Sequence, residues 1–201
     1  MFSGSLRFAL MALVAGFLSV FLAACETPAN APSYPELTWG HLAPITFKAS
    51  SVEIVDNYVA PLKSPNLDHE FPTTPEAALQ RWTVDRIHAG DDTLNAVRVT
   101  IQDASAVGVP LKTKDGIKGL FYKEQAFRIN AALEVLIEVR DGTGRVKSRA
   151  TSRVIRRRTV PEETSPNDLD RIYFDLLEAV MKDFNLRMEL EVRKHMIGDL
   201  E

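Results

Sequence analysis

Apolar and polar residues alternate most regularly between Phe127 and Val139, which predicts a long strand with one buried face. The apolar positions are Phe127, Ile129, Ala131, Leu133, Val135, Ile137 and Val139. The positions between them include Arg128, Glu134 and Glu138, which are expected to face water. The pattern therefore indicates a sheet with one apolar face and one wet face.

A turn signal, Asp141-Gly142-Thr143-Gly144, follows this strand and predicts a hairpin. Centring the hairpin on Gly142 and Thr143 pairs Val139 with Val146 and Ile137 with Ser148. It also sets Glu138 opposite Lys147. In this register the apolar faces agree and opposite charges meet, as stable cross-strand pairs require. We therefore predict a second long strand after the turn.

Two earlier segments also alternate. The segment Val97–Ile101 predicts a further half-buried strand. The segment from Ile45 to Tyr58 predicts the first strand, with a bulge or break near Ser50-Ser51, where the apolar frame shifts by one residue. The glycine-bearing stretch from Gly108 to Gly119 predicts a loop at a sheet edge.

Two segments carry helix-start signals. Thr74-Pro75-Glu76 combines a capping hydroxyl, a proline and an acidic residue, and predicts a helix from Pro75 to Ala89 that ends before Gly90. Ser165 and Pro166 repeat the signal and predict a helix from Pro166 to His195, about 45 Å long at 1.5 Å per residue. Because this length exceeds that of the sheet, we expect the helix to project or to break near Asn185.

The predicted element order is β-α-β-β-β-α. Each strand after the first helix buries only one face, so both helices are expected on that face. The sequence therefore predicts an α+β fold, a two-layer sandwich in which a mainly antiparallel sheet of about four strands carries two helices on one face.

A separate signal occupies the N-terminus. Arg7 precedes an apolar run from Phe8 to Ala24, and the run ends in Leu22-Ala23-Ala24-Cys25. A positive residue, an apolar segment and small residues before a cleavage point are typical of a secretory signal peptide. The last four residues resemble the lipobox of bacterial lipoproteins, in which the cysteine becomes the lipid-bearing first residue of the mature chain. The resemblance implies diacylglycerol and acyl chains on Cys25.

Two alternatives to the lipoprotein interpretation stay open. In the first, the apolar run is an uncleaved N-terminal anchor helix. In the second, the run is a signal peptide that is cut at a position other than Cys25. Cys25 is the only cysteine of the chain. A lipid on its sulfur would remove an exposed thiol from an oxidising compartment, which favours the lipoprotein interpretation.

These features predict three regions: a signal peptide over 1–24, the lipidated cysteine and a proline-rich tether over 25–38, and a periplasmic α+β domain over 39–201. Stable anchoring needs two acyl chains, since each buried methylene contributes about 0.8 kcal/mol. Glu26 follows the cysteine in place of aspartate. By resemblance to the enterobacterial sorting pattern, this favours the outer membrane over the inner membrane.

Composition narrows the list of partners. The chain has 24 Lys and Arg against 27 Asp and Glu, a formal net charge of −3. A mildly acidic balance argues against nucleic acid as the main partner. A single cysteine allows no disulfide within the chain, so the predicted domain depends on its hydrophobic core.

Catalytic motifs are absent from the sequence. It contains no Gly-x-Ser-x-Gly, P-loop, dinucleotide fingerprint or His-Glu-x-x-His motif. Asp68-His69-Glu70 has metal-ligand side chains, but adjacent loop residues seldom converge on one ion, so a solvated loop is expected. Trp82 is expected in the core and Trp39 at the domain edge. We therefore predict no catalytic residue, no metal and no cofactor besides the lipid on Cys25.

One segment carries charge of a single sign, because the stretch from Arg145 to Arg158 contains basic residues and no acidic one. The basic residues are Arg145, Lys147, Arg149, Arg153, Arg156, Arg157 and Arg158. We interpret them as a candidate docking surface for anionic lipid headgroups, lipopolysaccharide phosphates or an acidic protein. The alternative is a solvated face, balanced by Glu134 and Glu138, whose charges prevent edge pairing.

The element order is similar to that of small envelope lipoproteins, such as the lipopolysaccharide-assembly lipoprotein and the auxiliary lipoproteins of lipid-transporting ABC systems. This resemblance implies a non-enzymatic adaptor or accessory subunit of the cell envelope. It would contact the membrane through its lipid anchor and would bind another envelope protein or an anionic lipid. Two other hypotheses stay open: a periplasmic binding module for a lipid or small apolar ligand between helices and sheet, and an envelope hydrolase or transferase.

Overall fold

A central sheet with two helices on one face organises the computed structural model of the protein, which describes residues 33–91, 94–111 and 125–201. Residues Tyr34–Glu201 belong to one unit. In chain order, the elements of the described residues are β1 (Ile45–Phe47), β2 (Val52–Asp56), α1 (Pro75–Arg86), β3 (Ile87–Ala89), β4 (Ala96–Pro110), β5 (Gln125–Arg140), β6 (Val146–Pro161) and α2 (Pro166–His195). The signal peptide, Cys25 and the tether up to residue 32 lie outside the described residues.

The sheet order is β2-β4-β5-β6, with β2 parallel to β4 and the other pairs antiparallel. Its apolar face is fully buried at positions such as Val99, Leu133 and Ile137. Both helices pack on that face, as the one-sided alternation predicts. The chain is therefore an α+β protein with helices packed on a mainly antiparallel sheet.

The first predicted strand, Ile45 to Tyr58, is wrong as a single element. β1 pairs in parallel with β3, whereas β2 pairs in parallel with β4, so the two halves belong to different sheets. The chain changes sheet at Ser50, whose amide and hydroxyl both donate to the carbonyl oxygen of Asn95 at 2.9 Å. The frame shift at Ser50-Ser51 marks that change.

Helix α1 begins as predicted but ends three residues early. The Thr74 hydroxyl accepts from the amide of Ala77 at 3.2 Å, and Pro75 occupies the first turn. The helix ends at Arg86, because Ile87–Ala89 pair with β1. The Gly90 amide donates to the carbonyl of Phe47 at 2.8 Å, so this glycine follows a strand and not a helix.

Helix α2 has the predicted bounds, Pro166–His195, over 30 residues. The Ser165 hydroxyl accepts from the amide of Asp168 at 3.2 Å, which caps the first turn. Of the two expected outcomes, projection or a break near Asn185, the break does not occur, since the helix is continuous there. Asn185 is buried, and its side-chain oxygen accepts from Trp82 Nε1 at 2.9 Å.

The hairpin register differs from the prediction by two positions. Val139 pairs with Ser148, and Glu138 faces Arg149 instead of Lys147. The Asp141 carboxylate holds the turn by accepting from the amide and hydroxyl of Thr143, and Gly144 has a φ of +83°, which favours glycine. The ladder shifts between Val139 and Arg140, which pairs with Val146. Because side chains alternate with period two, a shift of two positions leaves the residues from Ser148 onwards on their predicted faces, whereas Val146, beyond the irregularity, pairs with Arg140.

The predicted loop from Gly108 to Gly119 is wrong at its start. Gly108 to Pro110 continue β4 and pair with β5, and the Gly108 amide donates to the carbonyl of Pro65 at 2.8 Å. The remainder of that stretch, from residue 112, lies outside the described residues.

The two tryptophans are placed as predicted: Trp82 is fully buried in the core, and Trp39 is buried at its margin.

Candidate functional site

Strand β6 forms one edge of the sheet and carries most of the predicted basic residues. It spans 16 residues and, among the described residues, pairs only with β5. The opposite edge is β2, which has 5 residues. A long edge strand exposes a row of unpaired amide and carbonyl groups, so β6 is the larger pairing surface of the two.

The register divides the basic residues between the two faces of the sheet. Ala150 and Ser152 are buried opposite Ile137 and Val135, which places the even-numbered residues of β6 on the helix side. Arg156 and Arg158 share that parity and lie on the helix side. Arg149, Arg153 and Arg157 lie on the open side. Of the arginines of β6, the odd-numbered ones alone therefore lie on the open face of the sheet.

Three of the basic residues have acidic partners that hold the fold together. Arg145 pairs with Asp141 at 3.1 Å, and Lys147 pairs with Asp199 at 3.2 Å. A hydrogen bond from the Thr143 hydroxyl is the largest cause that lowers the pKa of Asp141, to about 2. These contacts close the hairpin turn and attach the C-terminal segment to β6.

Arg156, the third, bridges β6 and α2. Its Nε and one terminal nitrogen donate to the two carboxylate oxygens of Asp183, at 2.6 and 3.1 Å. The hydrogen bond from Arg156 lowers the pKa of Asp183. This bidentate pair fixes the helix against the edge strand.

The arginines of the open side have fewer acidic partners than Arg145, Lys147 and Arg156. Arg153 lies 3.3 Å from Glu134 and 4.0 Å from Asp103. Arg149 faces Glu138, whose carboxylate already accepts from Arg140 at 2.5 Å. Arg149, Arg157 and Arg158 make no ion pair with any described residue. Of the two acids that were expected to balance the basic face, Glu134 pairs with Arg153 and Glu138 pairs with Arg140. Positive charge therefore remains along the edge of β6.

A groove of about 620 Å³ follows this edge, between Arg153–Ile155 of β6 and the outer flank of α2. Ile155, Leu186 and Leu190 lie in it with exposed fractions of 47%, 56% and 67%. We call the β6 edge, these three apolar residues and the open-side arginines the edge surface. Its open side carries the arginines and Ile155, and its helix side carries Leu186 and Leu190 among the charged side chains of Asp183, Arg187 and Glu191.

A second groove, of about 710 Å³, lies between the segment Leu37–Leu42 and α2. Arg156 and Lys182 line it together with the apolar Leu42 and Leu186. Asn185 also lines it and is only 7% exposed. Its side-chain oxygen is held by Trp82 and Arg86, so the amide NH₂ is the group left over, and it donates to no described residue.

The segment that forms this groove is held on the domain by Asp85. One carboxylate oxygen accepts from the Trp39 amide at 2.7 Å and from the Thr38 hydroxyl at 2.8 Å. Partial burial opposes ionisation, yet these hydrogen bonds and nearby Arg81 hold the pKa of Asp85 below its ordinary value. Further along the predicted tether, the ring of Tyr34 stacks on Phe174 with centroids 5.0 Å apart.

The sequence analysis missed a polar network between the helices. Arg86 is 2% exposed and donates from Nε to Asn185 at 3.2 Å and from a terminal nitrogen to Glu189 at 2.8 Å. Its other terminal nitrogen donates to the carbonyl of Ala43. The only signal for this network was the position of Arg86 among apolar residues of α1, where a charge requires partners.

The Asp68-His69-Glu70 segment is not the solvated loop that was expected. It forms a short 3₁₀ helix, and Asp68 is 2% exposed. Burial and the adjacent Asp68 raise the pKa of Tyr58. Within the described residues, no group of three or more His, Cys, Asp or Glu is placed to hold a metal ion.

Comparison with known proteins gives matches in structure alone. No protein-family model matches the chain, and no curated protein matches its sequence. Solved structures similar to this chain include a minor lipoprotein from Acinetobacter baumannii, at 15% identity and a TM-score of 0.32, over 75% of this chain and 92% of that one. They also include a dodecamer of a PelC variant from Paraburkholderia phytofirmans, at 14% identity and a TM-score of 0.21, over 78% and 95% of the two chains.

These similarities are too low to define a family or to transfer a residue from either protein. The described residues contain no helix that is both long and apolar enough to cross a membrane. The function proposed below therefore rests on the N-terminal sequence and on the edge surface.

Proposed function

We propose that this protein is a membrane-anchored lipoprotein that faces the periplasm and acts as a non-enzymatic adaptor for another envelope component. The edge surface is the observation that carries the proposal. Within the described residues, it combines a long strand with one unpaired edge, arginines without acidic partners and exposed leucines in one place. Such a combination suits contact with a partner, because charge accelerates the encounter and apolar area holds the complex.

Attachment to the membrane follows from Cys25 in this proposal. A diacylglycerol on its sulfur and a further acyl chain on its α-amino nitrogen hold the protein, with the outer membrane favoured because Glu26 follows the cysteine. Tyr34 already contacts the domain. From the sequence alone, eight residues such as 26–33, which include Pro28 and Pro32, would span roughly 25 Å in polyproline geometry. The edge surface would then work within a short distance of the bilayer.

Replacing Cys25 tests the anchor. Cys25→Ser should leave the precursor uncleaved and without lipid, whereas the wild-type protein should fractionate with outer-membrane vesicles. Mass spectrometry of the wild-type N-terminus measures directly whether Cys25 is lipidated and whether the leader has been removed. An unmodified Cys25, or a leader still attached to the wild-type chain, would remove the anchor from the proposal.

Site-specific photo-crosslinking tests the docking function. A photoreactive residue at Ile155 or Leu190 should recover the same envelope component in intact cells. Val84, which is 62% exposed on α1, provides a matched control position that should not. Charge reversal at Arg149, Arg153 and Arg157 should abolish both adducts. Adducts that still form after the charge reversal, or that form equally from Val84, would contradict docking through this surface.

A second candidate function is a binding module for a lipid or another amphiphile. The groove beside Leu37–Leu42 favours it, since its volume suits a small molecule and it presents Lys182, the Asn185 amide and apolar walls. Octyl phosphate binding, measured by calorimetry, tests the site. Lys182→Glu should weaken binding if the groove is the site, and Leu190→Ser, outside this groove, serves as the control.

A further inference from the structure

We infer that the edge surface recognises its partner by strand addition. The partner segment is an extended stretch of protein with acidic residues at every fourth position on one face and apolar residues on the other. This inference rests on the proposed adaptor function and specifies the chemistry of the partner. Three observations carry it: the regular backbone of β6, the spacing of its open-side arginines and the two exposed leucines of α2.

The β6 backbone is regular over the length that a partner strand needs. From Ser148 to Val160 its register with β5 has no shift, because the irregularities lie near Arg140 and near Gln125. In an antiparallel ladder, alternate residues direct their amide and carbonyl groups away from the neighbouring strand. Among the described residues no strand pairs with this outer edge of β6, which therefore presents a straight row of donors and acceptors.

The open-side arginines set the charge pattern of the partner. Arg149, Arg153 and Arg157 are four residues apart, which separates them by about 13 Å along the strand. Arg149 and Arg157 have no acidic partner among the described residues, and the Arg153 side chain is 58% exposed beside Glu134. An added strand places one residue directly opposite each arginine, so carboxylates at four-residue intervals would pair with all three.

The helix side sets the apolar pattern. Leu186 and Leu190 extend from α2 next to Val154 in the edge groove, and both are more than half exposed. Asp183, Arg187 and Glu191 line the same groove, so the apolar area is limited to the two leucines and Val154. A strand hydrogen-bonded to β6 would turn every second side chain towards these leucines. Apolar residues there would remove this exposed area from water, which favours the complex.

Charge disfavours a second copy of this chain as the occupant. Antiparallel pairing of two β6 strands centred on Arg153 sets Arg153 against its own copy and Arg149 against Arg157. Like charges directly opposite each other destabilise a strand pair. An anionic headgroup would neutralise the arginines but would leave the edge amides and the leucines without partners.

A synthetic peptide tests the inference. The full chain, purified in nonionic detergent, is titrated by fluorescence anisotropy with a labelled peptide of the repeat Glu-Val-Thr-Val. Peptides of the repeat Lys-Val-Thr-Val and of scrambled order serve as controls. The Glu peptide should bind, and Arg149→Glu with Arg153→Glu and Arg157→Glu should weaken it by about 10-fold or more. A matched variant reverses three exposed basic residues elsewhere, Lys63, Arg171 and Lys194, and should bind as wild type.

Backbone methylation separates strand addition from charge attraction alone. The Glu peptide is made in two forms, each N-methylated at one alternating set of residues. One form loses the amides that face β6 and should not bind, whereas the other should retain binding. Thermal unfolding of each protein variant checks that the fold is intact.

Four results would overturn the inference. These are no binding of the Glu peptide, equal binding of both methylated forms, displacement of the peptide by phosphatidylglycerol in the same micelles, or a dimer that the triple reversal dissociates. The inference is also wrong if the protein crosslinks to its envelope partner in cells but does not bind the Glu peptide. That last result leaves the proposed adaptor function standing.

Discussion

The helix–helix interface and the edge surface both contain arginine, in opposite environments. Arg86 is enclosed between α1 and α2, where Asn185, Glu189 and the carbonyl of Ala43 accept its donors. Arg149 and Arg157 extend from β6 into solvent and have no acidic partner among the described residues. The charge of Arg86 is compensated within the protein, whereas the charges of Arg149 and Arg157 remain available to a partner.

The difference shows how burial decides the use of a charge. An enclosed guanidinium must have its partners within the fold, since leaving it unpaired there costs several kcal/mol. An exposed guanidinium loses little by remaining unpaired, so evolution can place it for contact with a partner. Mutations at the two regions should therefore separate stability from binding.

The largest effect is expected at Arg86. Arg86→Ala should lower the free energy of unfolding by about 3 kcal/mol, because it leaves a cavity and removes one of the two arginine partners of Glu189. Urea unfolding followed by circular dichroism measures the change. If Arg86→Ala costs no more stability than Arg149→Ala, the contrast between the two regions is lost.

Asn185 should give the next largest effect. Asn185→Ala removes the oxygen that accepts from Trp82 and Arg86, and should lower the free energy of unfolding by about 2 kcal/mol. Asn185→Asp retains an acceptor beside Arg86 and serves as the control, with a smaller loss. Equal losses for the two variants would show that the oxygen itself is unimportant.

The open-side arginines should matter little for stability. Replacing Arg149, Arg153 and Arg157 together by alanine should change the free energy of unfolding by less than about 1 kcal/mol, because exposed ion pairs contribute little. The same variant should lose the photo-crosslinks from Ile155 and Leu190. A large drop in stability with the crosslinks retained would reverse the assignment of this region.

The smallest effect is a local one, at the turn that leads into β6. The folded pKa of Asp141 is about 2, below its ordinary value of 3.8, so its ionised form stabilises the turn above that value. This contribution disappears as the pH falls through about 2. NMR titration of the Thr143 amide measures it, and Asp141→Asn should remove the pH dependence. A Thr143 shift that follows pH equally in Asp141→Asn would have another cause.

The starts of both helices followed from the sequence, because capping is local. Thr74 and Ser165 each bond to an amide three residues further on, so the signal and the contact occupy the same few residues. The one-sided alternation of β5 was confirmed for the same reason. Its period is a property of neighbouring residues.

The errors have non-local causes. Ile87–Ala89 leave helix α1 to pair with β1, about forty residues earlier in the chain, and no local pattern reports that pairing. The hairpin register is the exception, since it differs at a turn held by local hydrogen bonds from Thr143 to Asp141. The continuity of α2 at Asn185 depended on Trp82 and Arg86 of another helix.

The candidate site was predicted in part. The basic residues of β6 were all identified from composition, and the interpretation that they form a docking surface stays a prediction. Which of them already have a partner was not accessible, since Asp183 and Asp199 come from the far end of the chain. The exposed leucines of α2 escaped notice because helical spacing alone does not separate the buried flank from the exposed one.

Taken alone, the order of residues determined the types of element, the two-layer arrangement and the charge of β6, since each depends on spacing between near neighbours. Tertiary structure alone decided that β6 lies at an edge, that Arg156 has an acidic partner while Arg157 has none among the described residues, and that Leu186 and Leu190 extend beside the edge. Those outcomes depend on contacts between segments far apart in the chain, and such contacts exist only once the sheet and helices have packed.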